Sequence, residues 1–69
     1  MSSAWYYCKG LVLEDVLQSI QHYNAKYQPN AAFLHVHPKD KDKLSGKVGI
    51  RVVADPYVIH NNILLTSAS

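Results

Sequence analysis

One cysteine, one glutamate, three glycines and three prolines in 69 residues exclude several classes of small protein at once. Cys8 alone cannot close an internal disulfide, and there is no cysteine pair for a structural zinc site. Gly10, Gly46 and Gly49 lie in no phosphate-cradling loop. Glu14 and Asp15 are neighbours on one predicted helix start, so a separated carboxylate pair for acid–base work is missing. None of Ser2, Ser3, Ser19, Ser45, Ser67 and Ser69 sits in a nucleophile-elbow setting. The longest stretch without a charge, Pro56 to Ser69, carries a histidine and two asparagines and cannot cross a bilayer. Met1-Ser2-Ser3-Ala4-Trp5 has no basic region leading into an apolar core, so no secretory signal is expected and a cytoplasmic location is. These absences point away from an enzyme and from any cofactor.

What remains is globular composition: 48% hydrophobic and 17% charged, too apolar for a disordered tail. The net charge of +2 is small for a dedicated nucleic-acid binder. A single core in a domain of this size supplies only about 3–5 kcal/mol, and no cross-link adds to it. Burial against a second copy or a larger partner is the remaining device, so a homo-oligomer or a protein complex is expected.

Apolar residues at Leu13, Val16, Leu17, Ile20, Tyr23 and Tyr27 recur at steps of three and four, which predicts an amphipathic helix over Leu13 to Tyr27. Glu14 and Asp15 suit its positive end and Lys26 its negative end. Pro29 stops it, because the residue before a proline avoids helical angles. Ala32 to Val36 is a short apolar run between prolines and predicts a buried strand. Pro38 to Leu44 predicts one helical turn with Pro38 at its first position. Val48 to Val53 alternates, with Val48, Ile50 and Val52 on one face. Asn61-Asn62 reads as a tight turn before a strand over Ile63 to Thr66, and Ala4 to Cys8 reads as a further short strand. The expected fold is α+β: one amphipathic helix on a small three- to four-stranded sheet, in the order (β)αβ(α)ββ. Its expected core is Val16, Leu17, Ile20, Leu34, Val36, Ile50, Val52, Ile63 and Leu65.

Two functional patterns stand out. In a strand, residues two apart face the same side, so His35 and His37 could reach one metal ion, with His60 or His22 as a third ligand. The stretch also resembles part of the JAMM metalloprotease motif: His35 and His37, seven residues from Pro38 to Leu44, then Ser45. The family's last ligand is an aspartate where this chain has Val48, and its upstream glutamate has no strand-borne counterpart, since Glu14 falls on the helix. Two imidazoles without the carboxylate would not hold a metal-bound water as a nucleophile.

The second pattern is aromatic. Trp5, Tyr6, Tyr7, Tyr23 and Tyr27 combine a large apolar body with a polar tip, the residue type that gathers at protein interfaces. Ile63 and Leu65 join this set, because the uncharged strand Ile63 to Thr66 is expected at a sheet edge open to another chain. Lys39 to Arg51 holds five basic and two acidic residues. That alternation reads as a solvated face, and nucleic acid is not the expected partner.

The order of features also resembles a segment of tailed-phage major capsid and encapsulin shell proteins. It runs from the amphipathic helix through the strand ending at His37-Pro38, Pro38-Lys39-Asp40, the valine strand Val48 to Val53, and Asp55-Pro56, to a closing strand through Leu65. That resemblance implies self-assembly or a structural contact, with no catalytic residue.

Overall fold

The computed structural model describes residues 2–68; Met1 and Ser69, the outer ends of the two stretches read above for targeting and membrane signals, lie outside them. The chain runs β1 (Ser3–Tyr7), a 3-10 turn (Lys9–Leu11), α1 (Leu13–Lys26), β2 (Ala31–Val36), a 3-10 turn (Pro38–Asp40), α2 (Lys41–Leu44), β3 (Arg51–Ala54) and β4 (Asn62–Ser67). The four strands form one sheet in the order β1-β4-β2-β3. β4 is antiparallel to both its neighbours, and β2 and β3 are parallel. The α+β expectation holds, with a mixed four-stranded sheet.

α1 forms where the spacing predicts it. Val16, Ile20 and Tyr23 are buried, Leu17 and Tyr27 pack partly against them, and Leu13 at the first turn is exposed. Val12 precedes the helix without a side-chain cap, so Glu14 and Asp15 are the groups that offset the unpaired N–H groups of its first turn. At the other end the Tyr27 amide donates to the Tyr23 carbonyl, and Asn24 Oδ1 accepts the Ala31 amide at 2.8 Å. The helix thereby holds the first residue of β2 directly.

Beneath α1 lie Leu34 and Val36 from β2, Ile63 and Leu65 from β4, and Val52 from β3, all buried. Seven of the nine expected core residues are fully buried; Leu17 and Ile50 pack at the margin. Cys8, Leu11, Tyr23, Ala31, Leu44 and Val48 complete the cluster, and Val58 is buried as well. The valine strand is shorter than its alternation suggests. Gly49 takes a φ of 78°, a left-handed angle that breaks the extended run, so Val48 and Ile50 lie in a bend and β3 begins only at Arg51.

Two sequence expectations are corrected. The strand over Ile63 to Thr66 is not an edge: as β4 it lies between β1 and β2, hydrogen-bonded on both sides. For that reason Ile63 and Leu65 are fully enclosed by the chain's own core and cannot form an interface. Tyr23 is likewise fully buried, its hydroxyl donating to the Ser2 carbonyl at 2.6 Å, which makes it a tie between α1 and the start of β1.

Leu65→Ala should lower stability by about 2–5 kcal/mol in urea unfolding, since a fully buried leucine at the sheet centre leaves a cavity under α1. Tyr23→Phe should cost about 1 kcal/mol, the net worth of its buried hydrogen bond.

Candidate interaction surface

α1 covers one face of the sheet, and the side chains that alternate to the other face are readable from the register. One row across the four strands is Trp5, Leu64, His35 and Val53. The next is Ser3, Thr66, Phe33 and Arg51, and Tyr7 lies opposite Asn62 beyond the first row. Among the described residues no helix or further strand lies over these rows. Trp5 and Tyr7 are 58% and 67% exposed, large values for aromatic residues inside a strand. Phe33, Leu64 and Val53 are half-buried. A shallow groove of about 390 Å³ runs along the β2 side, lined by Phe33, His35, Val53, Thr66, Ser67 and Ala68.

His35 is the polar centre of this face. Its Nε2 lies 3.2 Å from Thr66 Oγ1, and its ring stands 6.4 Å from that of Phe33. Its Nδ1 is buried without a hydrogen-bond partner, 3.7 Å from Asp55 Oδ2. Asp55 itself is fixed by the chain: its amide donates to the Val36 carbonyl and its Oδ1 accepts the Tyr57 amide.

The other three candidate metal ligands, His37, His60 and His22, are elsewhere. β2 ends at Val36, so His37 leaves the strand and turns back to cap the following 3-10 turn, accepting the Lys39 amide on Nδ1 at 3.1 Å. His60 Nδ1 is 2.8 Å from the buried Asp40 Oδ2 and braces the loop before β4 against the Pro38–Asp40 turn. His22, exposed on α1, has Nδ1 3.0 Å from the Tyr6 hydroxyl on the covered side of the sheet. His35, His37 and His60 are therefore not assembled into one site. Among the described residues no group of three or more histidine, cysteine, aspartate or glutamate side chains could hold a metal ion. Val48, at the JAMM aspartate position, is a core residue.

A second, more open groove of about 670 Å³ lies between the end of β1 and α1, with Tyr6, Cys8 and Lys9 on one side and Gln18, Ser19 and His22 on the other. Cys8 is buried at its floor, with Sγ 3.4 Å from Ser19 Oγ. Burial, and after it the neighbouring Tyr27 and Tyr23 phenols, push the Tyr6 hydroxyl above its ordinary value of 10.0. Tyr27 is partly buried on the helix side, where it packs on Tyr23 with ring centroids 4.9 Å apart. Of the expected aromatic contacts, only Trp5 and Tyr7 face outward, while Tyr6 and Tyr27 flank the core. The exposed loop pair Tyr57 and Ile59, 89% and 72% exposed, carries no periodicity that would have singled it out.

No protein-family model, curated protein or solved structure matches this chain. No helix among the described residues is long and apolar enough to cross a membrane.

His60→Ala should cost about 1–2 kcal/mol in urea unfolding at neutral pH, because it leaves the buried Asp40 carboxylate without its partner. A folded pKa above the unfolded one means that Tyr6 contributes stability below pH 10 and loses it as pH rises through the folded value. Alkaline unfolding of Tyr6→Phe should accordingly show a shallower fall above pH 10 than that of the unsubstituted protein.

Proposed function

We propose that this protein is a non-catalytic, self-associating contact module that works through the uncovered face and the aromatic strand of its sheet. One observation carries the reading: the sheet is covered by helix on one face only, and the other presents Trp5, Tyr7, Leu64, Phe33 and Val53 in adjoining rows. Contiguous apolar surface rimmed by polar groups is the mark of a protein contact, and Arg51, Asn62 and Thr66 supply the rim here.

The energetics point the same way. A core of this size leaves little margin, and neither a disulfide nor a metal cluster is available among the described residues to widen it. Covering the exposed aromatic rows with a second copy removes apolar area from water at roughly 25 cal/mol per Å². The resemblance to shell-protein segments, where the corresponding elements serve assembly, agrees with a structural role. Exposed aromatics inside a strand are the residues that dominate such contacts when they become fully desolvated.

Sedimentation velocity over a dilution series from millimolar to micromolar tests this. The expected result is a concentration-dependent shift from dimer or larger species to monomer. Trp5→Ala and Leu64→Asp should each weaken association by about 2 kcal/mol, roughly 30-fold, while leaving the far-UV spectrum unchanged. A single monomeric species throughout the series would overturn the proposal.

A further inference from the structure

We infer that two copies join through β1 itself, edge to edge and antiparallel, about a twofold axis at Trp5, giving one continuous eight-stranded sheet. The inference rests on the self-association argued above and adds to the face contact a second junction, at the sheet edge, which leaves the uncovered face open and continuous across both copies.

The hydrogen-bond parity of β1 carries it. The Cys8 amide donates to the Asn61 carbonyl at 2.7 Å and the Ser67 amide to the Ser2 carbonyl at 3.3 Å. In an antiparallel ladder, bonded and non-bonded pairs alternate, so Ser2, Ala4, Tyr6 and Cys8 turn their backbone groups toward β4. Ser3, Trp5 and Tyr7 therefore turn theirs to the free edge, since β1 ends the sheet. These outward groups are symmetric about Trp5. A second β1 running antiparallel pairs Ser3 with Tyr7, Trp5 with Trp5 and Tyr7 with Ser3 of the other copy. Every outward N–H and C=O on both strands then has a partner, with no change of register.

The side chains favour the same partner. Edge strands that remain single are blunted by charge, proline or a bulge. From Ser2 to Cys8 this chain has no charge and no proline, and β1 pairs with β4 in unbroken register. The first charge, Lys9, lies beyond the ribbon. In the twofold register the two Lys9 residues are roughly 25 Å apart, outside the Debye length of about 8–10 Å, so two net-positive copies meet without local repulsion. On the uncovered face Trp5 comes opposite Trp5 and diagonal to Tyr7 of the other copy, within aromatic reach. The row Val53, His35, Leu64, Trp5 is thereby continued into its own mirror sequence across the junction. On the covered face the open groove between β1 and α1 borders the same edge.

Amide hydrogen exchange, residue by residue at low micromolar and high protein concentration, reads this directly. At high concentration the Ser3, Trp5 and Tyr7 amides should slow by about tenfold or more, while those of Ala4, Tyr6 and Cys8 are protected at both. Ser3→Pro removes only an outward N–H, so it should abolish dimerisation with β4 protection intact, whereas Ser3→Ala should dimerise normally. Self-association without the alternate-residue slowing overturns the edge junction and leaves contact through the sheet face. A monomer at both concentrations overturns both, leaving the edge for a strand of a different protein.

Discussion

Coverage of the sheet on one side only is the constraint from which the rest of this structure follows. A chain of 69 residues yields one helix of useful length, and that helix can shield one face of four strands. Val16, Ile20 and Tyr23 close over Leu34, Val36, Ile63 and Leu65, and the short α2 covers the β3 side with Leu44. Among the described residues no helix or further strand forms a second layer on the opposite face. On it Phe33 and Leu64 are half-buried, while Trp5 and Tyr7 at the outer strand stand in water.

The polar groups serve this frame as struts. Asn61, with a φ of 72°, accepts the Cys8 amide on its carbonyl and the Gly10 amide on its side chain, joining the start of β4 to the end of β1. Asn24 holds the start of β2, Tyr23 the start of β1, and the Asp40–His60 pair the long loop between β3 and β4. The Asn24 tie is local, seven residues long; the others join segments 20 or more residues apart and compensate for short strands. The histidines are spent on such ties at separate places, so their number signals bracing of loops and strand ends. His35 is the exception: its Nδ1 finds no hydrogen bond, and it sits in the middle of the uncovered face.

Local patterns were legible in the sequence, and long-range arrangement was not. Periodicity and proline chemistry place the helix over Leu13 to Tyr27, the strands over Ala32 to Val36 and Ile63 to Thr66 and the turn beginning at Pro38, each within a residue of the observed Leu13–Lys26, Ala31–Val36, Asn62–Ser67 and Pro38–Asp40. Alternation misled at Val48 to Ile50, where a left-handed glycine bends a run that reads as strand. The order of strands has no local signal, which is why Ile63 to Thr66, uncharged and near the C-terminus, looked like an edge and is the second strand in from one. The aromatic set was half legible. Trp5 and Tyr7 alternate with Tyr6 on the far side of the pleat, and only the side on which the helix lies decides which of them water sees. Tyr23 shares its stripe with Val16 and Ile20, and that stripe alone argued for the core. Two histidines two apart suggested a shared face, but the strand ends between them.

The central place of β4 sets the order in which the molecule can come into being. β1 and β2 are parallel to each other and touch only through β4, so neither the helix nor the first two strands have a complete sheet to settle on until Asn62–Ser67 arrives. A nascent chain growing at about 5–20 residues per second carries Leu34, Val36 and the β1 aromatics unshielded for seconds before then. Maturation of this domain is thus a late, concerted event after synthesis of its final strand, and a holding chaperone would find its best opportunity in that interval.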